Sequence, residues 1–393
     1  MAKESQSEDL PQFVQIRAGL LNRLAGRIGL SNPPTHRRFL RLLVLIVLTW
    51  LPLVLMSWNA GHLTGQTVKI PLFSDAEVNG RFLLALPLLD LSEAFLVIGL
   101  GVQVRQFLRS GIVSGKEREK FEATRARIED FHDSTGAELV YFLASLAISI
   151  LAHLYGPSNG TSYWGKHSTF LTPAGWWHML VSLPILYFFL LRAVSLLLLW
   201  GWFLFRVSKL DLDLTPTHPD HAGGLGFLGW GIASFSPMVV GITIMVSVGF
   251  ANEIYHRGES LSTLKYHLSI YVLLITLVLH APVFAFGYKL ATCRFEGLLD
   301  FGKLVAGHDR SFDEKWIRQP PSRNQDPLLG SSDPLSLAAL GTTYEHIEEM
   351  RLVPIDKKAM FLIVLSAIVP LLPLIGTEIP LPEVMAKLAE FLF

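Results

Sequence analysis

The sequence predicts an all-α protein: a polytopic transmembrane helix bundle of six or seven spans with a small cytoplasmic helical portion. Hydrophobic residues make up 51% of its 393 residues and charged residues only 17%. Soluble domains contain about 25% charged residues, so the deficit is typical of a membrane protein. Apolar stretches long enough to cross a bilayer also recur along most of the chain. Together these observations indicate an integral membrane protein.

Seven apolar stretches approach the length of about 17–25 residues that a membrane-spanning helix needs. They are Phe39–Trp58, Phe82–Val104, Leu139–Tyr155, His178–Phe205, Leu225–Asn252, Leu268–Leu290 and Met360–Gly376. The last stretch is short and contains Pro370 and Pro373, which interrupt a helix. We therefore expect seven spans, and six are the alternative if the last stretch only dips into the bilayer.

Lysine and arginine are distributed unevenly between the loops that connect the spans. The segments before the first span and after the second, fourth and sixth are rich in basic residues, and the opposite loops contain few. Basic loops stay in the cytoplasm of bacteria, so the pattern predicts a cytoplasmic N-terminus. The expected location is the bacterial inner membrane, with multiple passes.

Four regions follow from this pattern. Residues 1–38 form a basic cytoplasmic segment, and residues 39–290 form six spans with a charged helical extension at 105–137. Residues 291–358 form a cytoplasmic segment with an amphipathic helix at 334–353. In that helix we expect Asp333 to be the N-cap and Pro334 the first residue. Residues 359–393 contain the seventh span, or a re-entrant segment, and a tail.

Ionisable residues inside the predicted spans form the first candidate site. Arg192 lies near the middle of the fourth span, and Glu93, Asp90 and His280 lie at similar depth in the second and sixth spans. A buried arginine needs a partner, and depth permits Asp90 or Glu93 to provide one. Two carboxylates against one arginine leave a surplus acid, which favours a titrating site on an ion or proton path. The alternative is a static salt bridge, with His280 a histidine of the core.

A second candidate site lies between the fourth and fifth spans, in the segment 211–229. His218, Asp220 and His221 are close enough in sequence to bind a divalent metal, with Asp211 or Asp213 as a further ligand. The alternative is a capped turn in which Asp220 caps a helix that begins near Gly223. The spacing does not decide between the two, and we favour the turn.

The glycines of the same segment match the letters of a dinucleotide-binding motif, G-x-G-x-x-G, from Gly224 to Gly229. That motif requires a preceding strand, whereas here an apolar membrane stretch follows, so we reject it. Small residues instead recur every four positions, at Gly229, Ala233, Pro237 and Gly241. This stripe predicts close helix packing.

Aromatic residues and histidines cluster near the predicted outer ends of the third and fourth spans. The group comprises His153, Tyr155, Tyr163, Trp164, Lys166, His167, Trp176, Trp177 and His178. Tryptophan and tyrosine are typical of the interface between membrane and water. We therefore interpret the group as an aromatic belt rather than a metal site.

The segment Leu214-Thr-Pro-Thr-His-Pro-Asp-His-Ala-Gly-Gly-Leu-Gly226 resembles part of uncharacterised bacterial polytopic integral membrane proteins. The stretches Leu328–Asp333 and Met350–Pro354 add to the resemblance, which covers about a tenth of the chain. It implies a bacterial inner-membrane location. It implies no activity and no functional residues.

The preferred function is passage of a small ion or solute through the bundle, with Asp90, Glu93, Arg192 and His280 as a polar cluster. The sequence lacks the common motifs of serine hydrolases, P-loop ATPases and metalloproteases, which disfavours an enzyme of those types. A membrane-embedded metal-dependent enzyme and a non-catalytic scaffold are the alternatives. The expected partners are the lipid bilayer and the ion or solute, with no nucleic acid and no cofactor beyond that metal. The sequence leaves a homo-oligomer open.

Overall fold

A computed structural model describes residues 35–65, 67–132, 134–155, 163–167, 170–318 and 331–376. Most of this part of the chain is helical. The predictions for residues 1–34, for the tail after residue 376 and for the loop at 319–330 lie outside the described residues.

The α-helices are Thr35–Thr49, Leu51–Asn59, Ala76–Gly80, Leu86–Arg109, Glu117–His132, Thr135–Tyr155, Pro173–Trp177, Leu183–Val207, Gly226–Gly231, Ser236–Arg257, Leu261–His280, Gly287–Phe312, Asp333–Glu348, Lys357–Ile368 and Leu372–Ile375. Short 3-10 or π segments continue several of them, at Leu72–Ser74, Arg81–Ala85, His178–Ser182, Ile232–Phe235, Ala281–Phe286, Asp313–Arg318 and Val369–Leu371. Two short strands, Lys166–His167 and Phe170–Leu171, form an antiparallel hairpin.

Seven helical segments of the described chain are long and apolar enough to cross a membrane. We call them span 1 (Phe39–Asn59), span 2 (Ala76–Arg109), span 3 (Thr135–Tyr155), span 4 (Pro173–Val207), span 5 (Gly226–Arg257), span 6 (Leu261–Arg318) and span 7 (Lys357–Ile375). The predicted all-α bundle is confirmed, with seven spans rather than six. The protein is a multi-pass integral membrane protein.

Spans 2 and 4 are much longer than spans 1 and 3. They contain 34 and 35 residues, against 21 in each of the shorter two. At a rise of 1.5 Å per residue the long spans measure about 50 Å, whereas a bilayer core is about 30 Å thick. Each long span also contains a π segment just before Pro87 or Pro184. A wider turn there is a common response to a proline that cannot donate a hydrogen bond.

The end of the bundle at which spans 1, 3, 5 and 7 begin contains the basic loops, and we call it the basic end. Phe107 organises its core. The Phe107 ring lies 4.9 Å from that of Phe227, 5.7 Å from Phe121, 6.3 Å from Phe286 and 6.4 Å from Phe203, measured between centroids. The Phe107 ring of span 2 thus contacts spans 4, 5 and 6 and the helix Glu117–His132, which we call the linker helix.

The small-residue stripe of span 5 permits close contacts, as predicted. A Cβ atom added at Gly229 would lie 2.5 Å from the Pro354 carbonyl oxygen, and one at Gly241 would lie 3.2 Å from the Leu89 side chain. Gly231, which is not in the stripe, is tighter still, because a Cβ there would lie 2.0 Å from Gln103. At these glycines the backbone of span 5 therefore packs directly against side chains of span 2 and against the backbone just before span 7.

The amphipathic helix predicted at 334–353 is present as Asp333–Glu348 and packs on Gly287–Phe312. The prediction that Asp333 is its N-cap is wrong, since Ser332 occupies that position without a capping hydrogen bond. The Asp333 carboxylate instead accepts hydrogen bonds from Lys315 and Trp316, at 2.6 and 2.9 Å. The hydrogen bond from Lys315 is the main cause that lowers the pKa of Asp333, and the hydrogen bond from Trp316 lowers it further.

Candidate functional site

Arg192 of span 4 binds two carboxylates from two different spans. Its Nε and Nη2 atoms lie 2.9 and 2.8 Å from Glu93 Oε1, and its Nη1 atom lies 2.7 Å from Glu138 Oε1. All three side chains are buried, with Arg192 7%, Glu93 8% and Glu138 3% exposed. The partner that the sequence suggested, Glu93, is present. Glu138 is an additional partner.

Asp90 pairs with a different arginine. Its carboxylate lies 2.5 Å from Arg41 Nη2, and Asp90 is 9% exposed. Asp90 and Glu93 are one turn apart on span 2, so the two ion pairs are neighbours. In the sequence, Arg41 is one of several basic residues at the start of span 1, and a charge at the edge of a span is the only signal for its role.

The charged groups do not all lie near the middle of their spans, as the sequence predicts, because the spans differ in length. Arg192 and Glu93 lie near the middle of the long spans 4 and 2. Glu138 lies in the first turn of span 3, and Arg41 lies two residues after the start of span 1. The cluster is therefore level with the basic ends of spans 1 and 3. The midpoints of the predicted spans do not indicate this offset between long and short spans.

His280 does not join the cluster through any hydrogen bond or ion pair in the described chain. Its Nδ1 atom lies 2.8 Å from the Thr276 carbonyl oxygen in its own helix. Pro282, two residues later, packs at Gly201 of span 4. Gly201 is nine residues beyond Arg192, which corresponds to about 13 Å of helix rise. His280 therefore lies towards the basic end from Arg192.

A different histidine, His132, contacts the cluster. It ends the linker helix Glu117–His132 and is 2% exposed. Its Nε2 atom lies 3.8 Å from Glu93 Oε1. The charge-rich sequence around it predicts a solvated helix, and the burial of its last residue depends on the way that helix folds back on span 4.

The charged groups lie at the boundary between two separate apolar cores. On span 2, Leu89 belongs to the core at the opposite end and Leu96 to the core at the basic end. On span 4, Phe189 belongs to the core at the opposite end and Ala193 to the core at the basic end. The cluster of Arg41, Asp90, Glu93, His132, Glu138 and Arg192, which we call the charge layer, thus interrupts the apolar interior.

A cavity of about 870 Å³ opens at the end opposite to the basic end. Its walls come from the loop and helix at 69–81, the hairpin at 163–166 and the ends of spans 3, 4 and 5. On span 4 it extends from His178 to Tyr187, and Tyr187 is five residues from Arg192, about 7–8 Å along the helix. Several residues predicted to form an aromatic belt, among them His153 and Trp164, line this cavity instead.

The wall of the cavity is held together by Asp75. This carboxylate, 8% exposed, accepts hydrogen bonds from Trp164 Nε1 at 2.8 Å, Asn252 Nδ2 at 2.8 Å and the Val78 backbone at 3.2 Å. It thereby joins the first loop, the hairpin and span 5. Burial and the nearby negative charge of Asp75 raise the pKa of Tyr163 to about 12, so this phenol is neutral at physiological pH.

The loop at 211–226 contains the turn that the sequence predicted as the alternative to a metal site. The Asp220 carboxylate accepts hydrogen bonds from the backbone N–H groups of Ala222, Gly224 and Gly226, at 2.8, 3.1 and 2.7 Å. Burial raises the pKa of Asp220, but these three donors outweigh burial and lower it overall. Asp220 therefore stabilises the turn and accepts from the first N–H group of the helix Gly226–Gly231, whose N-cap is Leu225 rather than Asp220.

The two histidines beside Asp220 point to different partners. His218 Nδ1 lies 2.8 Å from Asp220 Oδ1, whereas the His221 ring packs 4.9 Å from that of His346. No group of three or more His, Cys, Asp or Glu side chains within the described chain is arranged to hold a metal ion. The metal site stays a prediction.

Elemental analysis of the purified protein tests the metal site. Because the Asp220 oxygens already accept three backbone hydrogen bonds, we expect less than one metal ion per chain and no change in His218→Ala. A stoichiometric metal that is lost in His218→Ala, but retained in a His267→Ala control, would establish the metal site instead.

No protein-family model, curated protein or solved structure shows significant similarity to the chain. Its function is therefore inferred from the geometry of the molecule alone.

Proposed function

We propose that the protein moves a small ion or solute across the membrane past the charge layer. The observation that carries this proposal is the number of ionisable groups buried together between two apolar cores. Three carboxylates, two guanidinium groups and an imidazole are expensive to bury, and ionisable groups at such depth commonly mark a transport path. One arginine and one acid would be enough for a static link between two helices.

Polar groups flank the charge layer on both sides, which supports a path through the bundle. On one side, the cavity extends to Tyr187, less than two helical turns from Arg192. On the other side, His132 ends the linker helix, and the neighbouring residues Thr135 and Gly136 are exposed. The charge layer therefore lies between this cavity and the basic end.

We also propose that the basic end faces the cytoplasm of a bacterial cell. Support comes from the lysines and arginines that flank the apolar stretches. Eleven lie in the segments 105–127, 206–209 and 289–294, against five in the segments 69–81 and 257–265 and at residue 166: Arg105, Arg109, Lys116, Arg118, Lys120, Arg125, Arg127, Arg206, Lys209, Lys289 and Arg294, against Lys69, Arg81, Lys166, Arg257 and Lys265. In that orientation the cavity opens to the outside, and it connects the neighbourhood of the charge layer with the outside.

Flux measurements in proteoliposomes test the transport function. We expect the wild-type protein to pass at least one of H⁺, Na⁺, K⁺ or Cl⁻. Glu93→Gln and Glu138→Gln each remove one charge that Arg192 binds and should change the rate by about tenfold or more, or about 1.4 kcal/mol in the barrier.

Glu129→Gln is the matched control, because Glu129 pairs with Arg125 at 2.9 Å within the linker helix, where both side chains are partly exposed. It should leave flux unchanged. Absence of flux for all four ions, with protein that is folded by circular dichroism and monodisperse in detergent, would contradict the proposal.

A further inference from the structure

His132 is buried beside a carboxylate without a hydrogen bond to either ring nitrogen. Its exposure is 2%, and within the described chain neither Nδ1 nor Nε2 has a hydrogen-bond partner. Most buried polar side chains have at least one partner, so this one requires an explanation. The nearest charged atom is Glu93 Oε1, 3.8 Å from Nε2. A small movement of either side chain would form a direct hydrogen bond.

The charges around His132 do not balance without a proton. Span 2 contributes Asp90 and Glu93, span 3 contributes Glu138, span 1 contributes Arg41 and span 4 contributes Arg192. Among the ion pairs of the described residues, three negative groups face two positive ones, and an excess negative charge in an apolar surrounding is unfavourable. One bound proton makes the charge layer neutral. On the linker helix itself, Glu129 lies one turn before His132 and pairs with Arg125 at 2.9 Å. Tyr141 lies one turn from Glu138 on span 3.

His132 is well placed to accept that proton. It is the last residue of the linker helix, where the helix dipole favours a positive charge. Imidazole also binds and releases protons near neutral pH more readily than any other side chain. Thr135 and Gly136, at the start of span 3, are exposed and lie within four residues of His132. The basic end is therefore the side from which a proton would reach His132.

We propose that His132 and Glu93 bind one exchangeable proton, and that the ion which the charge layer passes is H⁺. This inference rests on the proposed transport function and specifies its substrate. A hydronium ion from the basic end gives its proton to a lone pair on the His132 imidazole, which becomes imidazolium, and water is released. The imidazolium then transfers the proton to Glu93 Oε1, which leaves a neutral imidazole and a neutral carboxylic acid.

Protonation of Glu93 also changes the partners of Arg192. A neutral Glu93 binds the guanidinium less strongly, and Glu138 remains its anionic partner at 2.7 Å. The proton can then leave Glu93 towards the cavity that extends to Tyr187. Both carboxylates are needed, because Glu138 keeps the arginine compensated while Glu93 is neutral.

Proton uptake into proteoliposomes that contain a pH-sensitive dye tests this inference. We expect wild-type uptake to follow an imposed pH gradient and to fall at least tenfold in His132→Gln, which cannot bind a proton. His267→Gln is the control, since His267 is an exposed histidine of span 6, and it should retain the wild-type rate. Wild-type uptake and pH profile in His132→Gln would overturn the inference.

Two further measurements separate this inference from the proposed function. Flux of Na⁺, K⁺ or Cl⁻ without proton movement would support transport and overturn the proton assignment. If no ion moves, infrared difference spectra of the purified protein across a pH titration still report the bound proton. We expect a carboxylic acid carbonyl band that disappears in Glu93→Gln and shifts its midpoint in His132→Gln. Absence of that band in folded wild-type protein would overturn the inference.

Discussion

Replacing Arg192 with methionine is expected to lower the free energy of unfolding by about 3–5 kcal/mol, which is the usual range when one partner of a buried ion pair is removed. Methionine fills a similar volume without the charge, so most of this loss comes from Glu93 and Glu138. Both carboxylates accept hydrogen bonds from Arg192, and both are less than 10% exposed. Thermal unfolding in detergent, followed by circular dichroism, measures the change.

Neutral carboxamides at the two acids should restore most of the stability lost in Arg192→Met. The triple variant Arg192→Met, Glu93→Gln, Glu138→Gln contains no uncompensated charge from this group, and apolar replacement of a buried ion pair is often neutral. Arg125→Met is the control for arginine removal, because Arg125 and its two acid partners on the linker helix are partly exposed. If Arg192→Met and Arg125→Met destabilise the protein equally, the charge layer is solvated and our account of it fails.

Replacing Asp75 with alanine is expected to cost about 3 kcal/mol or more, because three donors lose their acceptor at once and each unpaired buried donor costs about 1–3 kcal/mol. Those donors belong to Trp164, Asn252 and Val78, in three different parts of the chain. We also expect faster hydrogen exchange at the backbone amides of the hairpin that contains Trp164, since the Trp164 indole no longer donates a hydrogen bond to residue 75.

Glu77→Ala provides the comparison for Asp75→Ala. Glu77 lines the same cavity and pairs with Arg81, one turn away in the same helix. Its removal should cost less, because its ion pair with Arg81 lies within one helix, whereas Asp75 accepts hydrogen bonds from three segments. Equal losses for the two variants, or unchanged exchange at the hairpin in Asp75→Ala, would contradict the role assigned to Asp75.

Much of the fold could be predicted because membrane spans are local features. The bilayer requires about 20 apolar residues in sequence, and that length can be read directly from the chain. All seven predicted stretches overlap a span of the structure. Their ends were less accurate, since span 2 begins at Ala76 and span 4 at Pro173 rather than at Phe82 and His178. Polar residues extend these helices beyond the apolar stretch, and hydropathy does not register them.

The candidate site was predicted only in part. Arg192 and Glu93 stood out because an isolated charge within an apolar stretch is unusual, and the structure places them in contact. Glu138 precedes the apolar stretch of span 3 by one residue, so it was excluded from the buried charges. His132 belongs to a segment whose many charges predict exposure. Neither could be found by reading each segment separately.

The amino-acid sequence alone is enough to predict the class of the protein, the positions of its apolar stretches and an arginine that needs a partner. The packing of the helices selected the groups that meet that arginine. It did so because spans 2 and 4 are about 20 Å longer than spans 1 and 3, by the rise of an α-helix. The starts of the short spans are therefore level with the middle of the long ones. This offset brings Arg41, Glu138 and His132 to the charge layer and leaves His280 outside it.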